Sequence, residues 1–228
     1  MIDDTCQFRG KFSRVKTAKG RKYSSTKWIQ RQINDPYVIK ARSQGYRSRA
    51  AYKLIEINKK FSILKPDIMV VDLGAAPGGW SQIAAKITKS ESLRSKSIVT
   101  AIDLLPIEGI EGVKIIQDDF QEEHAQEQII KNLCGNKPDV IISDMAANTT
   151  GHAKTDHLRM IYLCEITLEF TLKNLKKGGH FVTKIFRGGG EKEFLEKVKN
   201  NFSKVKHFKP KSSRKESSEF YLIALNKK

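Results

Sequence analysis

The chain has 228 residues, of which 39% are hydrophobic and 29% charged, and its formal net charge is +17. This length suits one compact domain with appended arms. The three cysteines lack the spacing of a disulfide framework or a zinc site, no apolar run is long enough to span a membrane, and the start lacks the pattern of a signal peptide. We therefore predict a cytoplasmic protein without a metal, neither a membrane protein nor a disulfide-rich secreted one.

The basic residues are concentrated at the two ends of the chain. Residues 1–60 hold 16 Lys and Arg against 4 Asp and Glu, residues 203–228 hold 8 against 2, and the stretch between them is nearly neutral. A small-molecule enzyme gains little from this distribution, whereas a protein that binds a polyanion gains contacts and steering. The charge pattern therefore predicts a nucleic-acid partner, with basicity for solubility alone as the alternative.

Among the first 62 residues, a regular apolar periodicity is clear only in the last part, from about residue 47. Residues 1–24 are basic and polar, so we predict a flexible extension that orders on RNA. Residues 24–26 could cap a short helix that ends near Asp35 and Pro36. A clearer helix opens near Arg47 with a regular apolar face. We predict residues 25–62 to be a basic, RNA-binding helical arm in which Arg47 and Arg49 contact RNA.

The segment 68–80 reads Ile-Met-Val-Val-Asp-Leu-Gly-Ala-Ala-Pro-Gly-Gly-Trp. A buried strand, a glycine turn and a helix in this order are typical of the ligand-binding corner of a doubly wound α/β fold. The glycine spacing fits neither the dinucleotide fingerprint nor a P-loop. The carboxylate of Asp72 would repel a phosphate but suits an ammonium group, and S-adenosylmethionine carries an amine and a sulfonium without a phosphate. The alternative is a turn that only closes a strand–helix unit.

Four further strands are predicted at 97–103, 113–119, 139–144 and 180–186, followed by a hairpin at 202–208 and 220–225. With the intervening helices, residues 63–228 are expected to form a Rossmann-like methyltransferase fold, a seven-stranded and mostly parallel sheet with helices on both faces. Asp103 ends the second strand, where a carboxylate can bind ribose hydroxyls. The acids Asp118 and Asp119 follow the third strand and could instead cap a helix.

Charged side chains also occur in and around the last parallel strands. Lys184 stands between apolar neighbours, and because an unpaired buried ammonium is costly, we expect it to meet Asp144 at the end of the adjacent strand. The loop at 209–218 is basic and suited to phosphates, with Lys209, Lys211 and Arg214 as expected contacts. The fourth strand ends in Ser-Asp-Met-Ala-Ala, which matches neither the motif of amino-methylating enzymes nor the cysteine of carbon-methylating ones.

The segment 68–80, together with Ser143-Asp-Met-Ala and Val182-Thr-Lys-Ile-Phe, resembles the FtsJ family of ribosomal RNA ribose 2′-O-methyltransferases from about residue 25 to the C-terminus. The resemblance implies a catalytic tetrad, with Lys184 next to the hydroxyl: Lys53, Asp144, Lys184 and Glu219. It implies a site for S-adenosyl-L-methionine in which Asp103 binds the ribose and Asp119 the adenine amino group. The full expected set is Asp72, Gly74, Pro77, Gly78, Gly79, Trp80, Asp103, Asp119 and Asp144.

Two positions depart from the family pattern, since relatives usually have glycine at Asp118 and proline at Ala147. The resemblance implies a monomer that methylates a uridine of the large-subunit (23S) ribosomal RNA, on the assembled or assembling large subunit. One alternative keeps the chemistry and moves it to a transfer RNA ribose. Another is an RNA-binding assembly factor without catalysis, although the tetrad and the glycine turn are intact. An NAD-dependent dehydrogenase is disfavoured by the glycine spacing and the basic ends.

Overall fold

The structure, a computed structural model, describes residues 13–16, 19–147, 150–186 and 191–228. Within them a seven-stranded sheet has the order β3-β2-β1-β4-β5-β7-β6. Its strands are β1 (Met69–Leu73), β2 (Ile98–Asp103), β3 (Val113–Gln117), β4 (Val140–Ser143), β5 (His180–Phe186), β6 (Phe202–Phe208) and β7 (Glu219–Lys227). The helices are α1 (Tyr23–Ile33), α2 (Pro36–Ser43), α3 (Ala50–Phe61), α4 (Gly79–Thr88), α5 (Glu123–Asn132), α6 (Ala153–Asn174) and α7 (Lys192–Asn201).

Only β7 runs against its neighbours, pairing antiparallel with both β5 and β6, while β1 to β5 pair in parallel. The predicted α/β fold, with its mostly parallel sheet and closing hairpin, is confirmed. Because β1 has β2 on one side and β4 on the other, the chain reverses its direction of winding at β1. Ligands of open α/β sheets bind at the carboxyl ends of the strands beside such a reversal.

The sheet is buried on both faces because its central strands carry apolar residues at successive positions, which point to opposite sides. Val70 and Ile142 face α3 and α4, and they share a core with Leu54 of α3. Val71 and Ile141 face the other layer, where α5, α6 and α7 pack. The apolar face of α3 therefore belongs to the core of the sheet.

The N-terminal helices differ from the expectation. Residues 24–26 lie inside α1, whose N-cap is Lys22 and makes no side-chain capping bond. Helix α1 ends at Ile33, near Asp35 and Pro36 as we expected, but these two residues also begin α2, which was not predicted. The Asp35 carboxylate accepts hydrogen bonds from the amides of Tyr37 and Val38, and proline at the first helical position gives up no hydrogen bond.

Parts of the predicted features fall outside the described residues. These are positions 1–12, 17–18, 148–149 in the loop after β4, and 187–190 in the turn after β5. Among the described helices, none combines the length and apolarity that crossing a membrane requires.

Candidate active site

A cleft of about 570 Å³ opens at the carboxyl edge of the sheet. Four of the expected ligand-binding residues line it, each just beyond or at the end of a different strand: Gly74 after β1, Asp103 of β2, Asp119 after β3 and Asp144 after β4. Apolar walls come from Ile102, Leu104, Leu105, Phe120, Met145 and Leu163. The parallel strand order thus brings together residues that are up to 70 positions apart in sequence.

The cleft is anionic. The Asp103 carboxylate accepts hydrogen bonds from the amides of Ala76 at 2.9 Å and Leu105 at 2.8 Å, and that of Asp119 accepts from the Gln121 amide at 2.9 Å. Asp118 also lines the cleft, but its carboxylate accepts from the Asp119 amide and lies 2.8 Å from His124. Such a site favours a ligand with positive charge and hydroxyl donors over a phosphate.

Neither aspartate after β3 caps a helix, which was the alternative to a ligand role for them. The N-cap of α5 is Glu122, and it makes no side-chain capping bond. Asp119 instead closes the short turn that precedes α5. Its place in the cleft wall is what the family resemblance implies, and its contact with a ligand stays a prediction.

The glycine turn after β1 is packed against the chain itself. A Cβ on Gly74, whose φ is +71°, would lie 2.2 Å from Met145 Cγ, and a Cβ on Gly79 would lie 2.3 Å from Ser48 Oγ. At Gly78, with φ +106°, it would lie 2.7 Å from Ile110 Cδ1. Glycines in such a turn can leave room for a ligand, but beside these three glycines the space is taken by the protein's own side chains. Glycine is required here by backbone conformation and close packing.

Behind this turn, several of the expected cofactor residues do not line the cleft, namely Asp72, Pro77, Gly78, Gly79 and Trp80. The Trp80 indole is buried, donates a hydrogen bond to the Ala50 carbonyl and packs against Tyr221 with ring centroids 5.5 Å apart. Any cofactor contact of Trp80 would therefore come from its main chain at the start of α4. The roles predicted for these five residues remain predictions.

Asp72 is fully buried at the end of β1 and accepts a hydrogen bond of 2.6 Å from the Ser81 hydroxyl. Burial raises the pKa of this carboxyl to about 7, against the opposing effect of the Ser81 bond, and the nearby carboxylates of Asp144 and Asp103 raise it further. At neutral pH this carboxyl is therefore only partly ionised, which weakens the charge expected to attract an ammonium group.

The four residues of the expected tetrad meet beside the cleft. Lys53 lies in the first turn of α3, and its Nζ is 2.9 Å from Glu219 Oε1 and 3.9 Å from Asp144 Oδ2. Lys184 of β5 lies 3.0 Å from Asp144 Oδ1 and also donates to the Asp144 carbonyl. The two lysines are only 8% and 7% exposed, so their charges are paired inside the protein.

Strand register explains this meeting. Ser143 of β4 is level with Thr183 of β5, which puts Asp144 level with Lys184. In the antiparallel pair, Lys184 stands opposite Tyr221, and Phe186 stands opposite Glu219. The geometry therefore brings together all four residues that the sequence singled out.

Tyr221 is a member of this cluster that sequence reasoning missed. Its hydroxyl donates a hydrogen bond of 2.6 Å to Asp144 Oδ1, and its ring centroid lies 5.5 Å from Lys53 Nζ. Burial is the main reason why the pKa of Tyr221 is raised well above its usual value, with further contributions from Asp144 and Glu219. Its position inside an apolar strand gives no sign of this role, and only the register with Lys184 could have indicated it.

Asp144 is the hub of the cluster. Burial works to raise the pKa of its carboxyl, but the Lys184 and Lys53 ammonium groups and the Tyr221 hydrogen bond outweigh that effect and hold the pKa below its usual value. The carboxylate is therefore ionised at neutral pH and fixes both lysines.

The expected RNA contacts are mostly engaged with protein groups. Arg47 donates to the carbonyls of Pro77, Glu108 and Gly109, and so ties the glycine turn to the loop after β2. Arg49 pairs with Asp35 and donates to the Ser212 carbonyl, and Arg214 lies 3.6 Å from Asp35.

In the same loop, Lys209 donates to the carbonyls of Lys215 and Ser217, and Lys211 is exposed. The structure gives Arg47, Arg49, Arg214 and Lys209 intramolecular partners. RNA contact by these five residues stays a prediction.

A doubly wound sheet in this strand order, with an acidic cleft at its carboxyl edge and a paired charge cluster beside it, places the protein among the Rossmann-like methyltransferases. The family model of the FtsJ-like methyltransferases matches residues 46–227, and the chain belongs to this family. It is therefore a methyltransferase, and the resemblance seen in the sequence is confirmed.

Curated relatives match along the full length of both chains. The chain is 57% identical to a protein of Rickettsia bellii and to one of Rickettsia akari, each named ribosomal RNA large subunit methyltransferase E. Among solved structures, a protein of Plasmodium falciparum described as a ribosomal RNA methyltransferase is 30% identical, with a TM-score of 0.71 over 80% of this chain and 98% of that one. The fibrillarin/Nop5p complex, at 19% identity and a TM-score of 0.54, is similar in fold alone.

Proposed function

We propose that this protein transfers the methyl group of S-adenosyl-L-methionine to the 2′-oxygen of a uridine ribose in large-subunit (23S) ribosomal RNA, on the assembled or assembling large subunit. The observation that carries the proposal is the buried Lys53–Asp144–Lys184–Glu219 cluster at the side of an acidic cleft. The names of the relatives point to the same substrate. A monomer in the cytoplasm, acting without a metal, belongs to the same proposal.

The cleft fits this cofactor by its chemistry. Asp103 would accept hydrogen bonds from ribose hydroxyls, and Asp119 from the adenine amino group, while Ile102 and Phe120 would cover the apolar faces. When bound, the cofactor supplies an electrophilic methyl group on a positively charged sulfur, which the surrounding carboxylates favour. Among the described residues that line the cleft, Arg159 is the one cation, so these residues offer little to hold a pyrophosphate.

Lys184 is the group that would hold the acceptor. Two N–H groups of its ammonium are directed to the carbonyl and the carboxylate of Asp144, which leaves the third for the 2′-oxygen. The enzyme's main task is to align this oxygen with the methyl carbon, because methyl transfer is an in-line displacement. The 2′-oxygen then forms a bond to carbon as the carbon–sulfur bond breaks.

The hydroxyl proton has two routes in this geometry. A neutral Lys184 takes it directly, whereas a charged Lys184 stabilises the developing oxyanion while water takes the proton. A pH–rate profile separates these routes, since only the first needs Lys184 to be deprotonated before reaction. In both cases Asp144 keeps Lys184 in place and Glu219 keeps Lys53 in place.

The test is methyl transfer from labelled S-adenosylmethionine to large ribosomal subunits from cells that lack this protein. Wild type is run beside Lys184→Met, and the modified nucleotide is mapped. We expect label on one uridine 2′-oxygen of 23S RNA, lost in the variant. Label on transfer RNA but not on subunits would contradict the substrate, and absence of transfer to either RNA would contradict the proposed reaction.

A further inference from the structure

Helix α1 presents an exposed indole on a strongly basic surface. From residue 13 to residue 33 the sequence has seven Lys and Arg and no acid. Within this stretch Trp28 is 54% exposed, and with Arg21, Ser24, Ser25 and Ile29 it lines a shallow depression of about 450 Å³. A single exposed apolar side chain is ordinary. An indole framed by hydroxyls and a guanidinium on a polycationic helix has the composition of a site for single-stranded nucleic acid.

The helix is held in a defined position, so the indole is presented in a fixed orientation. Along one side of α1, the main chain of Ser13 and Val15 bonds the side chains of Asn34 and Gln30. Trp28 lies two residues before Gln30, about 200° around the helix, so this docked segment leaves the indole uncovered.

The C-terminal end of the helix is fixed to the core. Asp35, directly after α1, is buried and pairs with Arg49, which precedes α3. This pair ties the C-terminal end of α1 to the start of α3, the helix that carries Lys53.

Helix α1 contacts the loop that leads to the tetrad. Arg31, one turn beyond Trp28, is 3.8 Å from Glu216 in the loop between β6 and β7. That loop leads within three residues to Glu219, which pairs with Lys53. It also carries Lys209, Lys211 and Arg214. The loop that would hold phosphates therefore contacts α1 one turn from Trp28 and leads to Glu219 of the tetrad.

We propose that Trp28 is a stacking platform for an unpaired base of the RNA substrate, with the basic residues of α1 and of the 209–218 loop holding the adjoining backbone. This inference rests on the proposed function, which supplies an RNA acceptor. Stacking on an aromatic ring tolerates any base, because every base has a π-face. Trp28 thus adds affinity for unpaired RNA and leaves the choice of nucleotide to the site at Lys184.

The chain contains a built-in probe, since its two tryptophans are the exposed Trp28 and the 2% exposed Trp80. Fluorescence is followed while a short single-stranded oligouridylate, or a duplex of equal length, is added to the full chain. Filter binding gives the Kd in parallel, and methyl transfer to subunits gives kcat and KM. We expect the single strand to quench the wild-type fluorescence more strongly than the duplex.

Three variants sharpen the result. Trp28→Ala should weaken single-strand binding about 5- to 100-fold and raise KM for RNA, with kcat and the slope of log Kd against log salt unchanged. Trp28→Phe should lose the quenching but keep most of the affinity, because phenylalanine also stacks. Leu93→Ala, which truncates a fully exposed apolar side chain in the loop before β2, should behave as wild type.

Two results would overturn the proposal while the proposed function stands. One is a Trp28→Ala variant whose Kd and KM for RNA are unchanged, while the wild type methylates RNA. The other is RNA saturation, seen by filter binding, without quenching of Trp28. Failure of the wild type to methylate any RNA is a separate result, which counts against the proposed function.

Discussion

The two halves of the sheet's carboxyl edge use the same kind of residue for opposite purposes. On the side of β1 to β3, Asp103 and Asp119 end their strands and accept hydrogen bonds from main-chain amides. On the side of β4 to β7, Asp144 and Glu219 stand at equivalent ends but meet the ammonium groups of Lys53 and Lys184. An acid at this edge thus either accepts main-chain hydrogen bonds in the cleft or joins a charge-paired cluster, depending on where a lysine is supplied.

Asp72 lies between these halves and shows what separates them. Its carboxyl is raised in pKa by burial and by the acids on either side, Asp144 and Asp103. Asp144 has the reverse shift despite its own burial, because two lysines and Tyr221 surround it. Burial acts to raise the pKa of both acids, and the lysines beside Asp144 account for the opposite direction of its shift.

Lys184→Met gives the largest expected effect, because it removes the ammonium group that would hold the acceptor hydroxyl. The acids on the side of β1 to β3 are left unchanged. We expect kcat for methyl transfer to fall about 10²- to 10⁴-fold, the range for loss of a proton-transfer or oxyanion-stabilising group. Single-turnover transfer from labelled cofactor measures it. Lys176→Met is the matched control, since Lys176 has an equally short 3.0 Å pair with Asp139 but is exposed at the opposite edge of the sheet. A comparable loss in that control would contradict the assignment.

Asp72→Asn tests whether the buried carboxyl between the two halves makes the stability of the protein depend on pH. In the unfolded chain the carboxyl titrates near 3.8 and in the folded protein near 7, so the folded state holds its proton more tightly. Stability from this group is present below pH 4 and is lost as pH rises through 7.

The asparagine keeps an acceptor for Ser81 without the charge. The unfolding free energy of the variant minus that of the wild type should therefore be on the order of 4 kcal/mol larger at pH 8 than at pH 4. Urea unfolding of both proteins at pH 4 and pH 8 measures this change. A difference that does not depend on pH would show that Asp72 does not titrate in this window.

Asp103→Asn probes the cofactor half. Loss of the charged acceptor for ribose hydroxyls should weaken S-adenosylmethionine binding about 10- to 100-fold, as expected for a hydrogen bond to a charged group. Equilibrium dialysis measures it. Asp118→Asn serves as the comparison, because Asp118 also lines the cleft but its carboxylate has a side-chain partner, His124, at 2.8 Å, whereas Asp103 accepts from main-chain amides. Equal losses in the two variants would argue against a specific role for Asp103.

Arg47→Ala and Lys211→Ala give the smallest effects. Together they distinguish a basic residue that holds the protein's own main chain from one that would contact RNA. Arg47 holds the carbonyls of Pro77, Glu108 and Gly109, so its loss should weaken cofactor binding about 2- to 10-fold and leave the salt slope of RNA binding unchanged. Lys211 is exposed, and its loss should reduce that slope by about 1. Filter binding across a salt series decides, and the reverse pattern would assign Arg47 to RNA.

Much of the sheet could be predicted because its signals are local. The apolar run before Asp72, the acids at strand ends and the isolated Lys184 follow from burial and from the strand-end rule, and the register of β4 and β5 agrees with the expected Lys184–Asp144 pair. Lys53 and Glu219 were identified through the family resemblance, since neither position is distinctive by itself.

Sequence reasoning missed features where one signal has two roles or where a contact forms only in the folded chain. Asp35 and Pro36 lie near the predicted end of α1 but also begin α2, because Asp35 accepts hydrogen bonds from the amides of Tyr37 and Val38. The glycine turn was recognised from its sequence, but the packing of Gly74 against Met145 and of Gly79 against Ser48 arises only in the folded chain. Tyr221 could not be found at all, because only the β5–β7 register places it opposite Lys184.

The most direct test of the division between the two halves is calorimetric titration of S-adenosylmethionine into Lys184→Met. We predict that the variant binds S-adenosylmethionine with the wild-type Kd and stoichiometry, because the acceptor cluster lies beside the cleft and contributes Asp144 alone to its lining. We also predict that neither protein binds NAD. Loss of S-adenosylmethionine binding in this variant would contradict the account, since Lys184 would then serve the cofactor rather than the RNA hydroxyl.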